Sequence, residues 1–167
     1  MEPAALQAQL TTWLQSRPGI FHVDAEPDGA RVLEVETGKS LRVVSDQVQA
    51  VEPARNALTG ADYLVLRLES APPLALADAG FVFPLDTRNT GELPGAPTTM
   101  SFRDYRRLHR HLRHLVETQA ESEHRREALD VTLLLIASLD GARAVGLPTE
   151  VEEAELETDI RRLEAGT

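Results

Sequence analysis

The chain has 167 residues, a formal net charge of −10 at pH 7, 42% hydrophobic and 26% charged residues, and no cysteine. This length suits one ordinary domain, the composition excludes a wholly disordered chain, and the missing cysteines exclude disulfides and thiolate metal sites. A sequence pI near 4.9 argues against a general affinity for nucleic acid or for anionic membranes.

The N-terminal segment predicts a helix rather than a targeting sequence. MEPAALQAQLTTW carries an acid and lacks the continuous apolar run that a signal peptide needs. Its apolar residues have helical spacing: Leu6, Leu10, Trp13 and Leu14. Because Pro18 and Gly19 stop this pattern, we expect a helix over about 3–16. The longest apolar run, 131–139, is far shorter than the roughly 20 residues that cross a bilayer, so we expect a cytoplasmic protein without a membrane span.

Short strand patterns follow the first helix. The runs IFHVDAE and ARVLEVE are separated by Pro27-Asp28-Gly29, where proline presets φ and glycine is expected to supply a positive φ, which predicts a hairpin. LRVV suits a third strand, whereas 45–62 contains Pro53 and Gly60 and is predicted to be irregular with about one helical turn. YLVLRLES alternates as a half-buried antiparallel strand does, and LALADAGFVFPL predicts two short strands or one bulged strand.

The segment 84–100 contains three prolines and two glycines in seventeen residues, so it is expected to lie on the surface. Loops longer than about 12 to 15 residues are often functional. The segment is therefore a candidate contact surface, with a plain connection from sheet to helix as the alternative.

Three helices are predicted after this loop. Ser101 and Asp104 resemble a capping box that opens a helix ending near 118, and a second helix is expected over 121–139, ending at Asp140-Gly141. Thr149 and Glu152 form a capping box that starts a last, acidic helix.

These elements predict a single α+β domain over 1–147. It would contain an N-terminal helix, an antiparallel meander sheet of about five strands, and two or three C-terminal helices packed on one face of the sheet. Residues 148–167 would form an acidic C-terminal helix packed on the domain or on a partner.

The segment RRLHRHLRHL lies in the helix predicted over 101–118. At about 100° per residue its apolar side chains gather on one side: Phe102, Tyr105, Leu108, Leu112, Leu115 and Val116. The other side carries what we call the arginine face: Arg103, Arg106, Arg107, Arg110 and Arg113. Five arginines against two acids give this helix a net charge of +3, so the other 149 residues carry −13.

Three interpretations of the arginine face are open. In the first, the arginine face is a solvated surface whose side chains form ion pairs locally or with the acidic segment 148–167, each pair being worth about 0 to 1 kcal/mol. Alternatively, it binds a protein partner or a second copy of the chain. An apolar seam on the last helix would complete that interface: Leu156, Ile160 and Leu163. A phosphate track for nucleic acid is least favoured, because −13 elsewhere repels a polyanion and the basic side has no aromatic ring to stack bases.

A metal site is a further possibility if the helix continues past 118. A stripe of potential ligands would then lie within roughly 80° on one side of the helix: His114, Glu117, Glu121 and His124. Glu121 and His124 have the Glu-x-x-His spacing of carboxylate-bridged metal bundles. The simpler interpretation is a hydrated polar face in which Glu121 pairs with Arg125.

No other motif indicates catalysis or a bound cofactor. The sequence has no Gly-x-Ser-x-Gly elbow, TGKS lacks the upstream glycine of a phosphate-binding loop, and Glu34 and Glu36 are expected to be solvated. No residue is predicted to be catalytic, and no cofactor is expected.

The expected function is that of a small cytoplasmic protein–protein interaction module, such as an adaptor, regulator or chaperone-like protein. It would self-associate and act through the 84–100 loop and the arginine face. The alternatives are a metal-dependent protein or enzyme that uses the stripe from His114 to His124, and a nucleic-acid accessory factor that uses the arginines.

Overall fold

The computed structural model describes residues 1–86, 96–118 and 122–165. The α+β class predicted from the sequence is confirmed, with an N-terminal helix, antiparallel sheets and three C-terminal helices. The helices are α1 (Pro3–Leu14), α2 (Phe102–Glu117), α3 (Ser122–Ala144) and α4 (Glu150–Ala165). The strands are β1 (Phe21–Glu26), β2 (Gly29–Glu34), β3 (Ser40–Val44), β4 (Val48–Arg55), β5 (Asp62–Leu68), β6 (Leu74–Ala77), β7 (Gly80–Pro84) and β8 (Thr99–Ser101).

The strands form two sheets in which neighbours follow each other along the chain. β1, β2 and β3 make a three-stranded sheet, and β4 to β8 make a five-stranded one. The predicted β1–β2 hairpin is confirmed, with Glu26 opposite Gly29 across the turn. The predicted positive φ at Gly29 is wrong. Glycine is required there because a Cβ would overlap the carbonyl oxygen of Val43 on β3.

The prediction that 45–62 is irregular is correct only at its ends. Ser45–Gln47 forms one 3-10 turn, but Val48–Arg55 is the strand β4, paired antiparallel with β5. Pro53 is compatible with this strand because β4 is an edge strand, in which alternate amides point away from the sheet and one of these can be missing without loss of a ladder hydrogen bond. The expected surface loop 84–100 likewise includes β8 at its end, and its central part, 87–95, lies outside the described residues.

The helices begin where their capping signals predict. Ser101 accepts a hydrogen bond from the Asp104 amide at the start of α2, and α4 begins directly after Thr149. α3 does not end at Asp140-Gly141, as expected, but continues to Ala144. Residue 141, inside the helix, is a glycine because it closely approaches the backbone of Pro84. A Cβ at this position would overlap the Pro84 carbonyl oxygen.

The chain divides into two compact units. The first comprises 1–83 and 144–148, and the second comprises 84–143 and 149–167. In the first unit, α1 contacts β1 and β2 and buries Leu6, Leu10 and Leu14. In the second unit, α2 contacts α4, so the acidic terminal helix is packed against the helix that carries the arginines.

Glu34 in the first unit is buried, in contrast to the solvated position expected for it. Its side chain is 3% exposed and accepts hydrogen bonds from the Phe81 amide at 2.7 Å and the Thr37 hydroxyl at 2.8 Å. Gly80, with φ of 103°, leaves the space that this carboxylate occupies. Glu34 therefore ties β2 to the start of β7.

None of the described helices has both the length and the apolar composition that crossing a bilayer requires.

Candidate interaction surface on helix α2

The apolar side of α2 is anchored in the core of the second unit. Phe102 and Tyr105 are each 1% exposed, and Leu112 is fully buried. Spacings of three and seven residues place these side chains on one side of the helix, as the sequence predicts. The orientation of α2, and with it the direction of the opposite side, is therefore fixed by packing.

The arginine face lies on the exposed side of α2, as its periodicity predicts. All five of its residues are exposed: Arg103, Arg106, Arg107, Arg110 and Arg113. Arg107 Nη1 lies 3.8 Å from Asp104 Oδ1, and Arg113 Nη2 lies 3.5 Å from Asp159 Oδ2. Arg106 and Arg110 have no ion-pair partner among the described residues. Two guanidinium groups near the centre of the surface are thus available to an external acid.

A buried polar contact holds α2 against α4. His109 Nε2 lies 2.6 Å from Asp159 Oδ2, and the two side chains are 6% and 2% exposed. Arg113 and Arg162 approach the same carboxylate from the surface, the second at 3.7 Å. Because Asp159 is buried, these partners supply the compensation that a buried charge requires.

Tyr105 lies beside this contact, with its ring 5.9 Å from that of His109 between ring centroids. Its hydroxyl is buried and has no hydrogen-bond partner within the described chain. Burial raises the pKa of Tyr105 well above its ordinary value of 10, and the nearby carboxylates of Glu152, Glu155 and Asp159 raise it further. Tyr105 is therefore a neutral core residue.

The predicted apolar seam on α4 is mostly covered within the chain itself. Leu156 and Leu163 are each 4% exposed, whereas Ile160 is only half-buried. Ile160 borders a groove of about 280 Å³ between α3 and α4, together with Ile136 and Leu139. Of the three seam residues, Ile160 is the one that offers substantial surface to a partner.

The residues of the predicted metal stripe do not share one helix. α2 ends at Glu117 and α3 begins at Ser122, so the continuous helix that the stripe requires is not formed. His114 and Glu117 are exposed near the end of α2, His124 Nδ1 lies 3.1 Å from the carbonyl oxygen of Thr118, and Glu121 lies outside the described residues. In the described ranges, no group of three or more His, Asp or Glu side chains has a metal-binding arrangement.

An apolar groove of about 400 Å³ lies in the first unit, between α1 and the strands β4 and β5. Trp13, Val51 and Leu64 contribute to its lining. The Arg17 guanidinium lies 3.8 Å from the centre of the Trp13 ring, a cation–π contact that holds the ring in place. The sequence does not predict this groove, because residues from three elements form it.

The predictions from the sequence also give no role to His109 and Asp159. Their spacing nevertheless carries a signal, because His109 stands four residues after Tyr105 and three before Leu112, on the buried side of α2. Asp159 stands in the same way between Leu156 and Leu163 on α4. Two polar residues inside apolar stripes of neighbouring helices indicate a buried pair.

Comparison with known proteins gave no match: no family model matches the sequence, and no curated protein or solved structure is significantly similar.

Proposed function

We propose that this protein is a protein–protein interaction module that binds an acidic surface of a partner protein through the arginine face of α2. Such a surface is compatible with an adaptor, a regulator or a chaperone-like role. The observation that carries the proposal is the exposed, unpaired state of Arg106 and Arg110 in the described chain, on a protein whose net charge is −10.

The geometry of α2 supports specific binding. Arg103, Arg106 and Arg110 are spaced by three and four residues, so they extend along one side of the helix for about 10 Å at 1.5 Å per residue. The buried contacts of α2 fix the backbone from which these arginines extend before any partner arrives. Binding therefore costs little backbone entropy, which favours affinity.

Electrostatics also favours an acidic partner. Like charges three and four residues apart on a helix destabilise it by about 0.2 to 0.5 kcal/mol per pair. Acidic groups on a partner would remove this repulsion and would accelerate the encounter by electrostatic steering. Binding at this surface should therefore weaken as the salt concentration rises.

A protein partner fits this surface better than nucleic acid does. Phe102 and Tyr105, the aromatic residues of α2, are buried on its other side, so the arginine face has no exposed ring for base stacking. The negative charge on the remainder of the chain repels a long polyanion, whereas it leaves a compact acidic patch free to approach. We place this activity in the cytoplasm, a reducing compartment in which a chain without cysteine needs no disulfide.

The test is affinity capture with charge-matched variants. The full chain, the variant Arg106→Gln/Arg107→Gln/Arg110→Gln and a control variant would be used as bait in a nuclease-treated lysate, and captured proteins quantified by mass spectrometry. The control, Arg55→Gln/Arg67→Gln/Arg161→Gln, removes three arginines whose side chains are 71%, 53% and 74% exposed elsewhere on the chain.

We expect an acidic protein that is captured by the wild-type chain and by the control, and whose recovery falls at least tenfold with the α2 variant. Capture that is equal for the two variants would show that the arginine face is not the binding surface. Capture that is seen in a parallel untreated lysate and is absent from the nuclease-treated one would favour the nucleic-acid alternative.

A further inference from the structure

Helix α3 has a second apolar side that is not covered within the second unit. Leu129 and Leu133 are 50% and 38% exposed, and Ile136 is half-buried. The three residues are spaced by four and three positions, so they form one stripe along the helix, which we call the α3 stripe. The buried side of α3 is formed by other residues: Ala128, Val131, Leu135, Leu139 and Ala142.

The α3 stripe ends beside a depression. Ile136 forms one wall of the groove of about 280 Å³ between α3 and α4, and Ile160 forms another. Leu129 and Leu133 project from the neighbouring turns of α3. A surface with projecting leucines at one end and an apolar groove at the other is complementary to itself when one copy is turned round against a second.

The charges that border the α3 stripe differ between its two ends. Arg125 and Arg126 flank its beginning, and both side chains are exposed. At its other end lie Asp140, Glu153 and Glu157, three acids that share the groove with a single base, Arg143. On the side of α3 that carries the stripe, one end is therefore basic and the other has an excess of acid. Glu127 and Asp130, near the basic end, lie about 100° or more around the helix from Leu129.

This polarity distinguishes the possible arrangements of two helices. Parallel copies would bring Arg126 close to Arg126 and Asp140 close to Asp140, and both contacts are repulsive. Antiparallel copies bring the basic end of each helix to the acidic end of the other, twice in one two-fold interface.

We infer that the α3 stripe is a self-association surface, occupied by the α3 stripe of a second copy of this chain in antiparallel orientation. Leu129 of each copy enters the groove beside Ile136 of the other. Three aliphatic side chains per copy make a small contact, so we expect a dissociation constant on the order of micromolar. This inference does not depend on the arginine face, and the two proposals can fail separately.

The first experiment measures mass against concentration. Sedimentation velocity of the purified full chain between about 1 and 300 μM would be compared for the wild type, Leu129→Gln/Leu133→Gln and a matched control. The control, Leu58→Gln/Val151→Gln, also removes two exposed aliphatic side chains, which are 97% and 63% exposed. Circular dichroism verifies that all three proteins have the same helix content.

We expect a monomer–dimer equilibrium for the wild type and the control, and a dissociation constant at least tenfold higher for the α3 variant. The variant Arg106→Gln/Arg107→Gln/Arg110→Gln should dimerise like the wild type, which separates this surface from the arginine face. A wild type that remains monomeric at all concentrations overturns the inference. A dimer that persists in Leu129→Gln/Leu133→Gln also overturns the inference. It is likewise overturned if the wild type is monomeric and captures a foreign protein that this variant no longer captures.

The second experiment tests the orientation by charge reversal. Arg126→Glu and Asp140→Arg should each weaken the dimer severalfold, because each places like charges opposite one another. The double variant Arg126→Glu/Asp140→Arg restores opposite charges at both ends and should dimerise within about threefold of the wild type. Additive weakening in the double variant overturns the antiparallel arrangement.

Discussion

The imidazole Nε2 of His109 lies 2.6 Å from Oδ2 of Asp159, and the pair joins α2 to α4 with both side chains buried. This bond fixes the register of the two helices at one point. The arginine face on α2 therefore owes its orientation partly to the Asp159 carboxylate on α4, which stands fifty residues after His109.

Replacing Asp159 tests this anchoring. Asp159→Ala leaves His109 without its buried partner, so we expect the free energy of unfolding to fall by about 3 to 5 kcal/mol. Urea unfolding followed by circular dichroism would measure the change. Glu155→Ala is the control, because this carboxylate is 53% exposed and 3.8 Å from His109, so its loss should cost less than about 1 kcal/mol. Equal losses for the two variants would contradict a structural role for the buried pair.

Tyr105 predicts how stability depends on alkaline pH. The pKa of Tyr105 is raised in the folded chain, mainly by burial, so above pH 10 the unfolded chain releases this proton while the folded chain retains it. The contribution of protonated Tyr105 to the free energy of unfolding is fully present below pH 10. As pH rises above 10 this contribution is lost, by up to about 1.4 kcal/mol per pH unit.

Tyr105→Phe removes this contribution, so the variant should lose less stability than the wild type between pH 9 and pH 11. At pH 7 the two proteins should agree within about 1 kcal/mol, because the hydroxyl that is removed has no hydrogen-bond partner in the described chain. Urea melts at each pH provide the comparison. Parallel pH profiles for the two proteins would show that Tyr105 ionises normally in the folded state.

Glu34 is expected to be essential for the stability of the first unit. Glu34→Ala leaves the buried Phe81 amide without an acceptor and removes a charge-assisted hydrogen bond, which should cost about 2 to 4 kcal/mol. Glu36→Ala, two residues further on at an exposed position, should lower the free energy of unfolding by less than about 1 kcal/mol, because the interactions of exposed carboxylates are screened by water. Thermal melts of the two variants would decide whether the buried carboxylate has this role.

Gly141 allows a test in which two effects have opposite signs. In an exposed helix interior, replacing glycine by alanine stabilises a protein by about 1 kcal/mol. At Gly141 the added Cβ would overlap the carbonyl oxygen of Pro84, and we expect the cost of this overlap to exceed the gain in helix propensity. Gly141→Ala should therefore have a lower free energy of unfolding than the wild type. Ala154→Gly, at an exposed position on α4, measures the size of the propensity effect in this protein. A Gly141→Ala variant that melts higher than the wild type would contradict the close approach.

Features with a local cause could be predicted from the sequence. The capping residues Ser101 and Thr149 place the starts of α2 and α4, and the periodicity of 102–116 separates the arginines from the core. β4 could not be predicted in this way. Its proline suits only an edge strand, and whether a strand lies at an edge depends on the order of the whole sheet.

The candidate surfaces divide along the same line. The arginine face is a property of one helix and follows from its spacing. The α3 stripe cannot be predicted in this way, because α3 has large aliphatic residues on two sides, and the sequence does not say which side the rest of the second unit leaves open. The position of Gly141 inside a helix is unpredictable for a similar reason, since the carbonyl of Pro84 that it approaches lies 57 positions earlier in the chain.

The position of Pro53 on the outer strand β4 has one more consequence. A sheet grows when the free amides of an edge strand template another strand, and Pro53 has no amide to offer, while the exposed Glu52 and Arg55 on either side keep their charges in water. When many nascent chains are crowded together, this edge is a poor seed for fibrils. The outer edge of β4 is therefore protected against pairing with a strand of another molecule.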